Sequence, residues 1–221
     1  MKKRTFYTEL CYVLGIVLLA FSATCMAKAD FGLSMVVAPA YLVHLKFGIT
    51  FGTAEYFLQA VLLLLMMLIL RRFKLTYLLS FLTAVIYGVV LDGLMLVIEF
   101  GELSFMPRVA LFVVGLFSGA AGLALFFKSY ITPLVYELFV REISQKLRMP
   151  LSYFKTYFDL VFCVLGIMLS FAFFGFGHFE GVKVGTVVCT LLNGWLIGRY
   201  TESLEKKFDF KDACPWRSFF D

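Results

Sequence analysis

Lys155 and Asp159 stand four residues apart in SYFKTYFDLVF (152–162), a stretch that runs directly into CVLGIMLSFAFFGF. That spacing puts both side chains on one helix face, where they can pair, although the favoured order places the acid first. An ionised side chain deep in a bilayer costs about 2.5 kcal/mol or more on insertion scales. Lys155, a turn from the start of its segment, can snorkel its ammonium to the interface. Asp159 lies two turns in and cannot. It is either one half of an ion pair, with Lys155 or with Arg141 of a neighbouring segment, or a carboxylate lining a polar cavity that takes a cation, a proton or a polar solute. Glu137 and Arg141 repeat the four-residue spacing with the acid first, so two charged stripes can meet and satisfy each other.

Other polar residues inside apolar runs extend the candidate list. Asp92 sits about six residues from the end of its run, with Glu99 and Glu102 beyond it, and reads best as interfacial. Asn193 beside Gly194 is placed for an interhelical hydrogen bond, and Gln59 is a weaker member of the set. GLFSGAAG (115–122) contains a GxxxG pattern that suits close helix packing and not a phosphate loop. The five cysteines form no CxxC pair and mostly fall in apolar segments, so neither a metal site nor a disulfide framework is expected. His44 and His178 fall in different loops, and neither HExxH nor GxSxG occurs. No catalytic set, cofactor or nucleic-acid partner is indicated.

The elements that must position these residues are membrane helices. Apolar residues make up 62% of the 221-residue chain and charged residues 16%, and the mean hydropathy is +0.91. A soluble domain is nearer half apolar and a quarter charged. The alternation of barrel strands is missing, which leaves an all-α polytopic membrane protein. Full spans are expected at 8–27, 54–70, 75–98, 108–127, 152–175 and 181–199. Two shorter pieces, 31–48 interrupted by Pro39 and 130–147 interrupted by Pro133, are too short to cross a core of about 30 Å and read as broken, re-entrant or interfacial segments. The first span opens on MKKR like a secretory leader, but its length and the spans that follow favour an uncleaved helix. Six spans place fifteen of the twenty basic residues on the side of the termini, with Lys28, Lys46, Arg108 and Lys183 opposite, an asymmetry that predicts cytoplasmic termini. The last stretch, 201–221, is expected as a cytoplasmic tail, amphipathic and basic before it turns aromatic, lying on an anionic leaflet.

The chain also reads as two membrane repeats, 1–100 and 101–200. YF at 56–57 matches YF at 153–154, FGLSM aligns with SYITP, and Gly88 in YGVVLD corresponds to Gly194 in NGWLIG once about nine extra residues near FGFGHFEGV are allowed for. Each half is span, short segment, span, span. Three crossings is an odd number, so the halves must be inverted relative to each other. Inverted repeats with broken helices are typical of transporters, whose sites lie where the breaks meet.

GIVLLAFSATCMAKADFGLSMVVAPAYL, GITFGTAEYF and YGVVLDGL in the first half, with MPLSYFKTYFDLV, VKVGTVV and LNGWLIG in the second, resemble the YczE/YitT-type family of bacterial membrane proteins. The resemblance spans residues 13–198. It places Leu151, Ser152, Lys155, Asp159, Gly185 and Thr186 at patterned positions, while Val36, Val37 and Ala38 stand where an acidic residue is often found. It implies a multi-pass protein of the bacterial inner membrane with a transport-related role and no assignable substrate. The expected function is a small-solute or ion transporter, alone, as a homodimer or with an energising subunit. The alternatives are the substrate-binding component of a multi-subunit vitamin importer and a non-transporting scaffold or regulator.

Overall fold

The computed structural model describes residues 4–99, 101, 103–176 and 180–214. His178, Glu102 and the aromatic end of the expected tail, from 215 onward, lie outside them. The elements run β1 (Arg4–Tyr7), α1 (Thr8–Ala29), α2 (Ala38–Phe47), α3 (Phe51–Leu70), α4 (Leu75–Val97), α5 (Phe105–Phe126), α6 (Val135–Leu147), α7 (Leu151–Phe174), α8 (Val184–Lys207) and β2 (Phe208–Lys211). The protein is an α-helical polytopic membrane protein. Helices α1, α3, α4, α5 and α7 are each long and apolar enough to cross a bilayer. At 24 residues α8 matches them in length but is more polar, with Asn193 and Arg199 in its middle and Glu202 to Lys207 at its end.

Local chemistry explains where the helices stop. Pro39 sits in the first turn of α2, where its missing N–H costs nothing, and Gly48 ends that helix in the left-handed region at φ 68°. Thr50 opens α3 by accepting a hydrogen bond from the Thr53 N–H at 3.2 Å. Pro133 cannot continue a helix and pushes its predecessor to extended backbone, so α6 begins two residues later.

α1 and α5 form the central seam, and they run antiparallel. Near one end Gly15 lies against the Gly122 carbonyl and Phe126; farther along, Gly115 lies against Ser22, Cys25 and Met26. The Ser22 hydroxyl donates to the Gly115 carbonyl at 2.6 Å. Lipid offers little hydrophobic drive for helix association, so such a seam rests on close van der Waals approach between small residues. GLFSGAAG is therefore a packing motif. The seam is pinned at both ends. Tyr130 donates to Glu9 at 2.9 Å, and Arg108 reaches the Ala29 carbonyl at 2.8 Å and the Asp30 carboxylate at 2.9 Å.

The packing around this seam repeats with the halves exchanged. α4 packs on α1 as α8 packs on α5, and α6 packs on α3 as α2 packs on α7. Together with the antiparallel α1–α5 pair, this is the arrangement of an inverted repeat. The parallel pairing of β1 with β2 brings both termini to one face, which requires an even number of crossings and makes α8 the sixth. Within the stretch expected as a tail, 201–207 continue α8 and 208–211 form β2.

One contact breaks the pseudo-symmetry. α3 and α4 meet at Gly52 and Gly88, so closely that a Cβ at Gly52 would fall on the Gly88 carbonyl. α7 and α8 make no comparable seam, and Gly194, the counterpart of Gly88, meets nothing within 4 Å. Gly52→Ala should therefore destabilise the protein by about 1–3 kcal/mol through overpacking, whereas Gly194→Ala should stay within about 0.5 kcal/mol of the parent. Thermal unfolding of both variants in detergent reads the difference.

Candidate functional site

The N-terminus of α6 is delivered to the flank of α3. The Val135 N–H donates to Gln59 Oε1 at 3.1 Å. The Gln59 amide donates in turn to Glu55 Oε2 at 3.4 Å, and the Tyr136 hydroxyl donates to the same oxygen at 3.0 Å. Glu55 and Gln59 are wholly buried. At 1.5 Å per residue, Glu55 lies about 6 Å and Gln59 about 12 Å along a helix of about 30 Å. Gln59 is thus near mid-depth, and Glu55 lies between it and the start of α3. Glu55 Oε1, Thr132 Oγ1 and Glu137 Oε2 are buried and without hydrogen-bond partners among the described residues.

The break that precedes α6 is supported from α4. Ser80 donates to the Pro133 carbonyl at 2.6 Å, and Thr83 donates to the Thr132 carbonyl at 3.1 Å. Non-helical backbone at membrane depth survives only where protein or a wet cavity satisfies it. A cavity of about 430 Å³, a vestibule beside the α3–α4 turn on the face that carries the termini, is lined by Lys74, Thr132, Pro133, Arg141 and Glu142. Thr132, in the lining of this vestibule, stands three residues before Val135, whose N–H holds Gln59.

Glu142 anchors the outer end of α6. It accepts from Arg72 at 2.7 Å, Lys74 at 3.0 Å and the Tyr77 hydroxyl at 3.1 Å, tying α6 to the α3–α4 turn. Burial works to raise its pKa, but hydrogen bonds from Lys74, Tyr77 and Arg72 outweigh it and hold the carboxyl below its ordinary value.

The residues singled out from the sequence are distributed unevenly. Lys155 and Asp159 form an ion pair at 2.7 Å with both side chains partly exposed, and the Lys155 ammonium also sits 5.5 Å from the Phe158 ring centre. Glu137, in the first turn of α6, lies close enough to that pair to feel both charges. Arg141 does not follow it. It is exposed at the vestibule, makes no ion pair among the described residues, and leaves the expected stripe facing Asp159 half built.

Asp92 serves the fold. It accepts from the Gly52 N–H and the Thr50 hydroxyl, each at 2.6 Å, and so caps α3 from α4. Asn193 is partly buried and makes no side-chain hydrogen bond among the described residues, so the interhelical bond expected of it is not formed; a Cβ at the adjacent Gly194 would meet nothing within 4 Å. Gln59, the weakest member of the sequence set, lies at the centre. The residue that sequence reasoning passed over is Glu55. The expected span began at 54, where an acidic side chain reads as interfacial, whereas α3 begins at Phe51 and Glu55 is sealed beneath α6. The available signal was the Glu55–Gln59 spacing, which puts two polar residues on one face of an otherwise apolar helix.

Fold and site together define a multi-pass helical membrane protein in which a re-entrant half-helix points at a buried polar cluster. The chain belongs to a family of unknown function, DUF6198, whose model matches residues 6–202. No curated protein and no solved structure matches it.

The Glu142 cluster makes a prediction about pH. A carboxyl held below its unfolded value contributes stability that is complete above that value and is lost as pH falls through the folded one. The wild type should therefore unfold more easily as pH drops below about 4.5, the ordinary carboxyl value. Glu142→Gln should melt at lower temperature than wild type at neutral pH, and the two should converge in acid. Melting curves in detergent across the acidic range test this.

Proposed function

We propose that this protein is a small-solute or ion transporter of the bacterial inner membrane, working through the polar cluster where α6 meets α3. The observation that carries the reading is the half-helix N-terminus held on Gln59 and Glu55 beneath a vestibule. The positive end of a helix and the freed groups at a chain break are what transporters place at their binding sites. The inverted packing of the two halves supports the same reading, since two oppositely oriented halves can rock about the α1–α5 seam and open the site to each face in turn.

The membrane orientation follows from charge. Arg71, Arg72, Lys74, Lys128, Arg141, Lys146 and Arg148 lie in or beside the turns on the terminus-bearing face, against Lys28, Lys46, Arg108 and Lys183 opposite, which favours cytoplasmic termini. The likeness to YczE/YitT-type proteins fits this picture. A scaffold, the competing reading, is favoured by the mutual pairing of Lys155 and Asp159. It accounts less well for Glu55, whose free oxygen would serve no purpose in a static bundle.

Alternating access makes a residue at the site reactive from both faces. With the native cysteines replaced, Thr132→Cys in vesicles of defined orientation should react with a membrane-impermeant maleimide from the terminus-bearing face and, in a separate population of conformers, from the opposite face. Reaction from one face alone, or from neither, would remove the transport reading.

A further inference from the structure

Glu55 is a buried carboxylate without a counter-ion among the described residues. Its Oε2 is occupied by two donors, Tyr136 and Gln59, and its Oε1 has no partner there. The elements packed on α3 bring other titratable groups toward it, and none of those described supplies a neutralising cation. α4 contributes Tyr87 and Asp92, the latter engaged with Thr50 and Gly52. α6 contributes Tyr136 and Glu137. α2 contributes Tyr41 and His44, whose rings lie on Phe51, and Lys46, which donates to the Phe173 carbonyl. The ion pairs of the described residues all lie elsewhere. An uncompensated charge at such a position costs roughly several kcal/mol, and the amide dipoles at the start of α6 offset only part of it.

From this geometry we infer that Glu55 is the coupling site of the transporter, its free Oε1 taking one small monovalent cation, a proton or a sodium ion, during each cycle. The inference rests on the transport reading and adds to it the ion that drives movement. One carboxylate with hydroxyl and amide neighbours matches a single positive charge, and no group of three or more His, Cys, Asp or Glu side chains comes together among the described residues to hold a divalent ion. Gln59 links the ion to the fold. It touches Glu55 through its amide and the α6 N-terminus through its carbonyl, so neutralising Glu55 changes the attraction that holds α6 in place.

Two measurements on the full chain test the assignment. Dicyclohexylcarbodiimide, an apolar reagent for protonated carboxyl groups in membranes, should modify wild-type protein in detergent on the peptide containing Glu55, as read by mass spectrometry. In proteoliposomes on a solid-supported membrane, a pH jump or a sodium jump should move charge, and Glu55→Gln should reduce that displacement at least tenfold while Glu202→Gln, on the exposed face of α8, does not. Sodium protecting Glu55 from the carbodiimide, with charge moved by the sodium jump, identifies sodium; a response to pH alone identifies the proton. Modification confined to other carboxyls, or charge movement unchanged in Glu55→Gln, overturns the inference. The carbodiimide arm uses wild-type protein and so holds even if Glu55→Gln does not fold. Failure here with Thr132→Cys still reactive from both faces would remove the coupling site and leave the transport reading intact.

Discussion

A broken helix inside a bilayer must find partners for the backbone groups it frees, and the rest of this structure is arranged around that requirement. Lipid provides no donors or acceptors. Between α5 and α6 the chain runs without helix through Thr132 and Pro133 and takes up helical geometry only at Val135, and three side chains from two helices answer it: Ser80 and Thr83 for the carbonyls, Gln59 for the Val135 N–H. Those residues make α3 and α4 the scaffold of the break. They also explain why Glu55 sits where it does, because the same face of α3 that offers Gln59 to α6 carries Glu55 one turn away.

This dependence accounts for the asymmetry between the halves. α3 and α4 must hold a fixed relation to serve one break together, and they do so at Gly52 and Gly88, with Asp92 capping α3 across the joint. α7 and α8 serve the other short segment differently. A Cβ at Gly166 of α7 would stand 3.9 Å from the Ala38 side chain at the start of α2, and Ser170 accepts from the Glu180 N–H. Among the described residues, no polar pair on α7 meets α2 as Glu55 and Gln59 meet α6. The two halves share an architecture and divide the chemistry, with the uncompensated carboxylate of Glu55 in one and the partly exposed ion pair of Lys155 and Asp159 in the other.

The charged residues of α6 show how a single helix joins rim and centre. Glu142 fastens its outer end to the α3–α4 turn, Tyr136 and the Val135 N–H engage the buried cluster, and Glu137 feels the charges of Lys155 and Asp159. Arg141 is left in the lining of the vestibule. A helix of 13 residues, about 20 Å long, thus reaches from the membrane surface to the polar cluster.

Much of the architecture was legible from residue order alone. Long apolar runs, the interruptions at Pro39 and Pro133, the small residues of GLFSGAAG and the odd number of crossings per half dictate membrane helices, short broken segments and inverted halves, because length, backbone geometry and lipid solvation act locally. What tertiary structure decided is which polar groups meet. Asp159 looked exceptional by its depth in a lipid run, yet its neighbour Lys155 satisfies it within one turn. Glu55 looked ordinary by its nearness to a boundary, yet α6 folds over it and removes it from solvent and from every described counter-charge. Burial is a property of what packs on a residue, and here it came from Tyr136 and its helix, 81 positions further along the chain.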